Sequence, residues 1–174
     1  MPDLKSRTNI RQTTAADQPA VLNLYRRVAS VPGGLARLAE EVDETWVNEF
    51  LTRACTDGLS LVAETKGNEI VGEIHAYTPM LFCFSHVLTD LTIAVVPDVQ
   101  GQGVGRLLFE TFMRNVVEAH PEILRIELIS RESNRKAIQF YESLGFRREG
   151  ELGSRIRNVD GSLESDIPMA WIRS

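Results

Sequence analysis

The sequence predicts a single α/β domain built on a mixed β-sheet. Three observations carry that expectation. Alternating and helical hydrophobic periods follow one another in the order βααβββαβαββ over 174 residues, a length that suits one domain with a sizeable core. A β-branched run ending at Pro97 feeds a turn with Gly101, Gly103 and Gly105 at alternate positions, and an amphipathic helix opens near Val104. Hydrophobic content of 43% beside 25% charged residues is that of a globular chain.

The elements follow in order. Residues 1–7 are polar and read as a loose tail, and Thr8–Gln12 is a short strand. Thr13, Thr14 and Asp17 offer caps for a first helix from about Ala16 to Val28, with Val21, Leu22, Tyr25 and Val28 at helical spacing. Val31-Pro32-Gly33-Gly34 ends it, and residues 29–43 are either a mobile flap or an ordinary loop. Asp43 caps a second helix that stacks Trp46, Phe50 and Ala54 on one face. Strands over 59–65 and 69–77 join across Lys66-Gly67-Asn68. Alternation puts Glu73, His75 and Tyr77 on one face, which as a polar face is expected to meet solvent. Residues 79–87 are apolar for a loop and either extend the flanking strands or pack against a partner, a second copy included. Thr89–Val96 leads into the glycine turn. The following helix carries Val104, Leu107, Leu108, Phe112 and Val116 and ends by His120-Pro121. Leu124–Ile129 is a fifth strand, and a helix from Ser133 or Asn134 to Ser143 stops at Gly145. Phe146–Arg157 and Leu163–Ile172 form a hairpin around Asp160-Gly161, a type I′ signal.

Composition excludes several classes. A formal net charge of −5 argues against a polyanionic partner such as nucleic acid, and suits a cationic amine. Cys55 and Cys83 are too few and too far apart for a disulfide scaffold or zinc knuckle, and they read as reduced thiols. His75, His86 and His120 show no metal-ligand spacing, so no metal is expected. No apolar run approaches a signal or membrane segment, so a cytoplasmic protein with no membrane association is expected.

A strand feeding a glycine-rich turn that opens a helix leaves backbone N–H groups pointing one way, at the positive end of the helix dipole. This is a phosphate or pyrophosphate site. The spacing of Gly101, Gly103 and Gly105 is not the dinucleotide fingerprint, and no Gly-Lys-Ser/Thr follows to make a P-loop. The pattern Gln100-x-x-Gly103-x-Gly105 resembles the acyl-CoA pyrophosphate loop of the GNAT superfamily of N-acetyltransferases.

A second stretch strengthens the resemblance. Asn134-Arg135-Lys136-Ala137-Ile138-Gln139-Phe140-Tyr141-Glu142-Ser143-Leu144-Gly145-Phe146 meets the family form Asn-x-x-Ala-x-x-x-Tyr-x-x-x-Gly-Phe at every specified position. The element order agrees as well. The resemblance implies a GNAT fold, a single mixed, centrally splayed sheet flanked by about four helices. It also implies acetyl-CoA as co-substrate, held around Ile93, Val95, Gln100, Gly101, Gln102, Gly103, Val104, Gly105, Arg106, Asn134, Lys136 and Tyr141. Asn134 and Tyr141 lie seven residues apart, nearly one helix face and about 10 Å along the axis. The resemblance assigns Asn134 to the pantetheine arm and the Tyr141 hydroxyl to the thioester sulfur.

Acetyl transfer to an amine needs a bound thioester, a neutral amine, a stabilised oxyanion and a proton for the departing thiolate. The resemblance places a backbone N–H near Val95 on the thioester carbonyl, a contact worth roughly 3–4 kcal/mol in acyl transfer. The resemblance makes Tyr141 the general acid. For the base, Glu73 and Asp90 are the nearest carboxylates by topology, and a water relay is the alternative. No cysteine lies in either motif, so direct attack is expected rather than an acetyl-enzyme. Three acceptor readings stay open: a small or amino-acid-like amine, which is favoured, a protein or peptide N-terminus, and a non-catalytic acyl-CoA-binding module.

Overall fold

A computed structural model describes residues 8–174, and the expected loose tail over 1–7 lies outside them. The described residues form eight strands and four α-helices, with an open mixed sheet in the order β1-β2-β3-β4-β5-β8-β6 and β7 paired to β8. The chain divides into two compact units, each described by itself.

The first unit runs to Tyr77 and resumes over Thr92–Pro121. It holds β1 (Thr8–Gln12), α1 (Gln18–Ala29), α2 (Glu44–Asp57), β2 (Gly58–Thr65), β3 (Ile70–Tyr77), the C-terminal half of β4 (Val87–Val95) and α3 (Val104–Ala119). Strands β1, β2 and β3 pair antiparallel, with Ile10 opposite Ala63 and Leu61 opposite Ile74.

Asp17 fixes the entry to α1. Its carboxylate accepts from the Thr14 N–H at 2.8 Å and the Thr14 hydroxyl at 2.9 Å, and receives both Arg11 Nη groups at 2.8 Å. Residues Ala15–Asp17 therefore form a 3₁₀ turn, and α1 proper starts at Gln18, ahead of Pro19. The Arg11 hydrogen bond, ahead of the contacts from Thr14, holds the Asp17 carboxyl at about 2, below its ordinary 3.8. A depressed carboxylate contributes stability above its unfolded value and loses it as pH falls through the folded value. The contribution is on the order of 2 kcal/mol. Asp17→Asn is expected to lower unfolding stability by about that much at pH 7, with the difference shrinking towards pH 2. Equal denaturation midpoints at pH 7 would show that the pair adds nothing measurable.

Strand β3 is buried on both faces. On one, Leu108 of α3 lies 3.3 Å from where a Cβ on Gly72 would stand. On the other, Tyr25 of α1 and Phe50 of α2 cover Glu73 and His75, which are 0% and 3% exposed. The expected solvated face is thus overturned, because helices close both sides of the strand.

Helix α2 begins where Asp43 Oδ1 accepts the Trp46 N–H at 2.8 Å. It passes into β2 with no residue between. Gly58 at the junction lies so close to β3 that a Cβ would stand 2.2 Å from the Ala76 carbonyl oxygen. The segment before α2 holds a 3₁₀ turn over Ala39–Glu41 and is anchored at buried Val42, whose carbonyl accepts from Arg26 Nε at 3.0 Å.

The second unit comprises Thr78–Leu91 and Glu122–Ser174. It holds the N-terminal half of β4, β5 (Arg125–Arg131), α4 (Arg135–Ser143), β6 (Arg147–Arg148), β7 (Leu152–Arg157) and β8 (Leu163–Ile172). Strand β8 is its spine, pairing antiparallel with β5, β6 and β7. Strand β4 pairs parallel with β5 at Val87–Arg125 and Leu88–Ile126. Two residues later Asp90 is exposed with φ of +54°, a left-handed backbone in mid-strand.

Three expectations change here. The stretch Phe146–Arg157 is two strands, β6 and β7, and β7 itself carries a register shift between Leu152 and Ile156 with Ser154 at φ +55°. The turn at Asp160-Gly161 is not type I′: only Gly161, at φ +86°, is left-handed, and its N–H donates to the Asn158 carbonyl at 2.9 Å. That is a type I turn closed by a glycine bulge, one residue longer than the dipeptide signal implies. Residues 79–86 do not extend the strands; they turn through a 3₁₀ segment at Phe82–Phe84 that leaves Met80 and Phe82 in solvent.

Candidate active site

In the first unit the glycine turn is braced by its own hydrogen bonds. Val96 N–H donates to the Val71 carbonyl at 2.9 Å, which ties the end of β4 to the start of β3. A 3₁₀ turn over Pro97–Val99 follows. The Gln100 side-chain amide then donates back to the Val95 carbonyl at 2.9 Å, and that of Gln102 to the Asp98 carbonyl at 3.0 Å. Arg27 of α1 joins Asp98 at 2.8 Å to Glu69 at 3.2 Å. The two glutamine side chains thus brace the turn.

Gly101 and Gly103 have φ of +77° and +82°, values that only glycine adopts without strain. A Cβ built on Gly101 meets no protein atom within 4 Å, so the space over the turn is open. Helix α3 opens at Val104, and its first helical donor is Leu107 N–H, to the Gly103 carbonyl at 3.0 Å. The amides of Val104 and Gly105 therefore have no acceptor inside the helix. This fits a pyrophosphate cradle. Ile93 and Val95 lie half-buried on one face of β4, and Arg106 pairs with Glu110 at 3.3 Å.

Also in the first unit, Glu73 has three hydrogen-bond partners. Tyr25 Oη lies 2.6 Å and His75 Nδ1 2.9 Å from one oxygen, and Ser60 Oγ 2.7 Å from the other. Ser60 in turn bonds Thr13 at 2.6 Å. Burial, with the Glu73 charge beside it, pushes the Tyr25 phenol well above 10. Tyr25, Ser60 and Thr13 escape a sequence reading because nothing in their spacing announces a shared partner.

Helix α2 and the end of β3 border a cavity of about 620 Å³ lined by Arg37, Trp46, Glu49, Phe50, Arg53 and Tyr77, among others. The Arg37 guanidinium lies over the Trp46 ring at 4.4 Å, and that of Arg53 over the Tyr77 ring at 3.8 Å. Trp46, Phe50 and Arg53 recur at helical spacing, the one signal that would have found this wall.

In the second unit, Asn134 caps α4, its Oδ1 accepting the Ala137 N–H at 3.2 Å, and Lys136 is exposed. Tyr141 lies half-buried on α4, with the Phe140 and Phe146 rings 5.6 and 6.1 Å away, and burial pushes its phenol up to about 12. Asp90 stands exposed at its strained position. His86 precedes β4 and His120 ends α3. Among the described residues no group of His, Cys, Asp and Glu is arranged to hold a metal, and no helix is long and apolar enough to cross a membrane.

A strand, a glycine cradle opening a helix, and an Asn-to-Tyr helix after the next strand define an acyl-CoA-dependent transferase. The chain belongs to the GNAT acetyltransferase family: residues 56–148 match the model described as Acetyltransferase (GNAT) domain. Among curated proteins it is similar to the ribosomal protein bS18-alanine N-acetyltransferase of Escherichia coli K12, at 29% identity over 141 residues and 79% of each chain. Among solved structures it is similar to a ribosomal-protein-alanine N-acetyltransferase from Brucella melitensis, with a TM-score of 0.80, 26% identity, and 95% and 99% of the two chains covered. A phosphinothricin acetyltransferase from Sinorhizobium meliloti, solved in complex with AcCoA, shares the fold at TM-score 0.80 and 15% identity, covering 95% and 88%.

Proposed function

We propose that this GNAT acetyltransferase transfers acetyl from acetyl-CoA to the primary amine of a small, amino-acid-like acceptor by direct attack. The observation that carries this reading is the cavity of about 620 Å³ on α2, a volume typical of small-molecule pockets. Bound acetyl-CoA supplies an activated acyl group. In the first unit the amides of Val104 and Gly105 and the open backbone at Gly101 and Gly103 bind its pyrophosphate; in the second, Asn134 bonds the pantetheine arm and Lys136 a CoA phosphate. The backbone N–H near Val95 donates to the thioester carbonyl.

Tyr141 is the donor towards the sulfur. A phenol held near 12 is a weaker acid than an ordinary thiol of about 8.5, so complete proton transfer to the thiolate runs uphill. The role that fits is a hydrogen bond that tightens as charge reaches the sulfur.

Glu73 is fully buried, with Tyr25 and His75 on one carboxylate oxygen and Ser60 on the other, which favours a structural role. The amine proton then leaves through water, so the enzyme acts on the neutral fraction of the acceptor. With an acceptor of pKa near 10, kcat/KM is expected to rise about tenfold per pH unit between 7 and 9. Glu73→Gln is expected to keep that slope. A plateau in the wild-type profile that vanishes in the variant would make Glu73 the base.

A second reading, acetylation of a protein alanine, is favoured by the names of the Escherichia coli and Brucella melitensis relatives. Thiol release from acetyl-CoA across small amines, amino acids and alanine-terminated peptides decides between them. Turnover confined to the peptides would overturn the small-acceptor reading.

A further inference from the structure

The glycine cradle and the α2 cavity lie at opposite ends of β3. The cradle is tied to Val71, and the cavity is walled by Tyr77, six residues on and about 20 Å along the strand. The guanidiniums of the cavity are therefore not part of the phosphate cradle.

Among the described residues neither Arg37 nor Arg53 is paired with a carboxylate. Arg37 Nη1 comes no nearer than 3.5 Å to the Glu41 carbonyl oxygen. Each guanidinium instead lies over an aromatic ring, a position that holds the group in place while its N–H edges stay available. Two guanidiniums less the one carboxylate of Glu49 give the named lining a formal charge of +1, within a chain of net charge −5. A planar, edge-donating cation beside an aromatic wall is the geometry that receives a carboxylate with two parallel hydrogen bonds.

We infer that the cavity of Arg37, Trp46, Glu49, Arg53 and Tyr77 is a carboxylate-binding acceptor site, so that the acceptor is a small amine that also carries a carboxylate. The inference rests on the transferase reading above and narrows its substrate class. Arg53 is the principal anion ligand, because it projects from the regular helix α2. Arg37 closes the site from the preceding loop. The stacked rings Trp46 and Tyr77 carry the apolar part of the acceptor, and Glu49 disfavours a second negative charge.

The test is calorimetric titration of the full chain with phenylalanine and with phenylalanine carboxamide, which differ only at the carboxyl group. The amino acid is expected to bind at least about tenfold more tightly than the amide. Arg53→Gln, an exposed helical position that keeps the fold, is expected to abolish that preference and leave acetyl-CoA affinity unchanged. Equal affinity for acid and amide, absence of binding by both, or a preference that survives in Arg53→Gln and Arg37→Gln alike would overturn the site. An alanine-terminated peptide amide that outcompetes the amino acid would overturn it too. Thiol-release assays on the same ligands judge the transferase reading separately. Release that is equal for acid and amide, each corrected for its neutral-amine fraction, sinks the carboxylate site alone, whereas tight acid binding without release on any amine sinks the reaction and leaves the site standing.

Discussion

Replacing Gly105 with leucine is expected to abolish acetyl-CoA binding while leaving the fold intact. Gly105 lies in the first turn of α3, and a Cβ there would meet only Val95 Cγ2, at an ordinary 3.5 Å. The protein itself therefore tolerates a side chain at this position. Leucine is also the better helix former, by about 0.8 kcal/mol. What a side chain takes away is the space in which a phosphate approaches the amides of Val104 and Gly105. An affinity loss on the order of 100-fold or more follows from that clash. Calorimetry with acetyl-CoA measures it, and a thermal unfolding scan checks that stability has not fallen. Gly103 is a poorer probe, because at φ +82° any other residue strains the backbone and mixes two effects. If Gly105→Leu binds acetyl-CoA as tightly as the wild type, the cradle has been misplaced.

The second large effect is expected from Tyr141→Phe. Removing the hydroxyl keeps the ring packed between Phe140 and Phe146 and deletes one donor. Because that donor strengthens its bond only as the thiolate forms, kcat is expected to fall by about 100-fold with little change in acetyl-CoA KM. Its pH profile is informative as well. A phenol pushed up to about 12 stays protonated to high pH, so the wild-type rate should show no fall below pH 10 from this group. A variant at wild-type kcat would reduce Tyr141 to a packing residue.

The parts of the site carried by backbone geometry were legible in the sequence, since Gly101, Gly103 and Asn134 sit where a turn and a helix cap demand them. The boundaries of α3 and the capping of α2 by Asp43 could be read for the same local reason. What alternation cannot say is which faces of a strand are covered. Glu73 and His75 were placed correctly on one face of β3 and wrongly in solvent, because the cover comes from Tyr25 and Phe50, distant in the chain. The Asp160-Gly161 turn misled because a two-residue signal does not reveal that Asn158 closes the turn one residue earlier. Arg37 was illegible for a third reason: its loop has no period, and its partner Trp46 becomes a neighbour only once α2 is in place.

The junction at Gly58 bears on how this enzyme can change. Because α2 enters β2 without an intervening residue, the rotation of the helix about its own axis is locked to the pleat of the sheet. Inserting or deleting one residue in α2 would swing its upstream side chains by about 100°. Trp46, Glu49 and Arg53 would then leave the cavity together. If the cavity receives the acceptor, as inferred above, a change in the length of α2 would remove these three side chains from it at once, whereas substitution would change them one at a time.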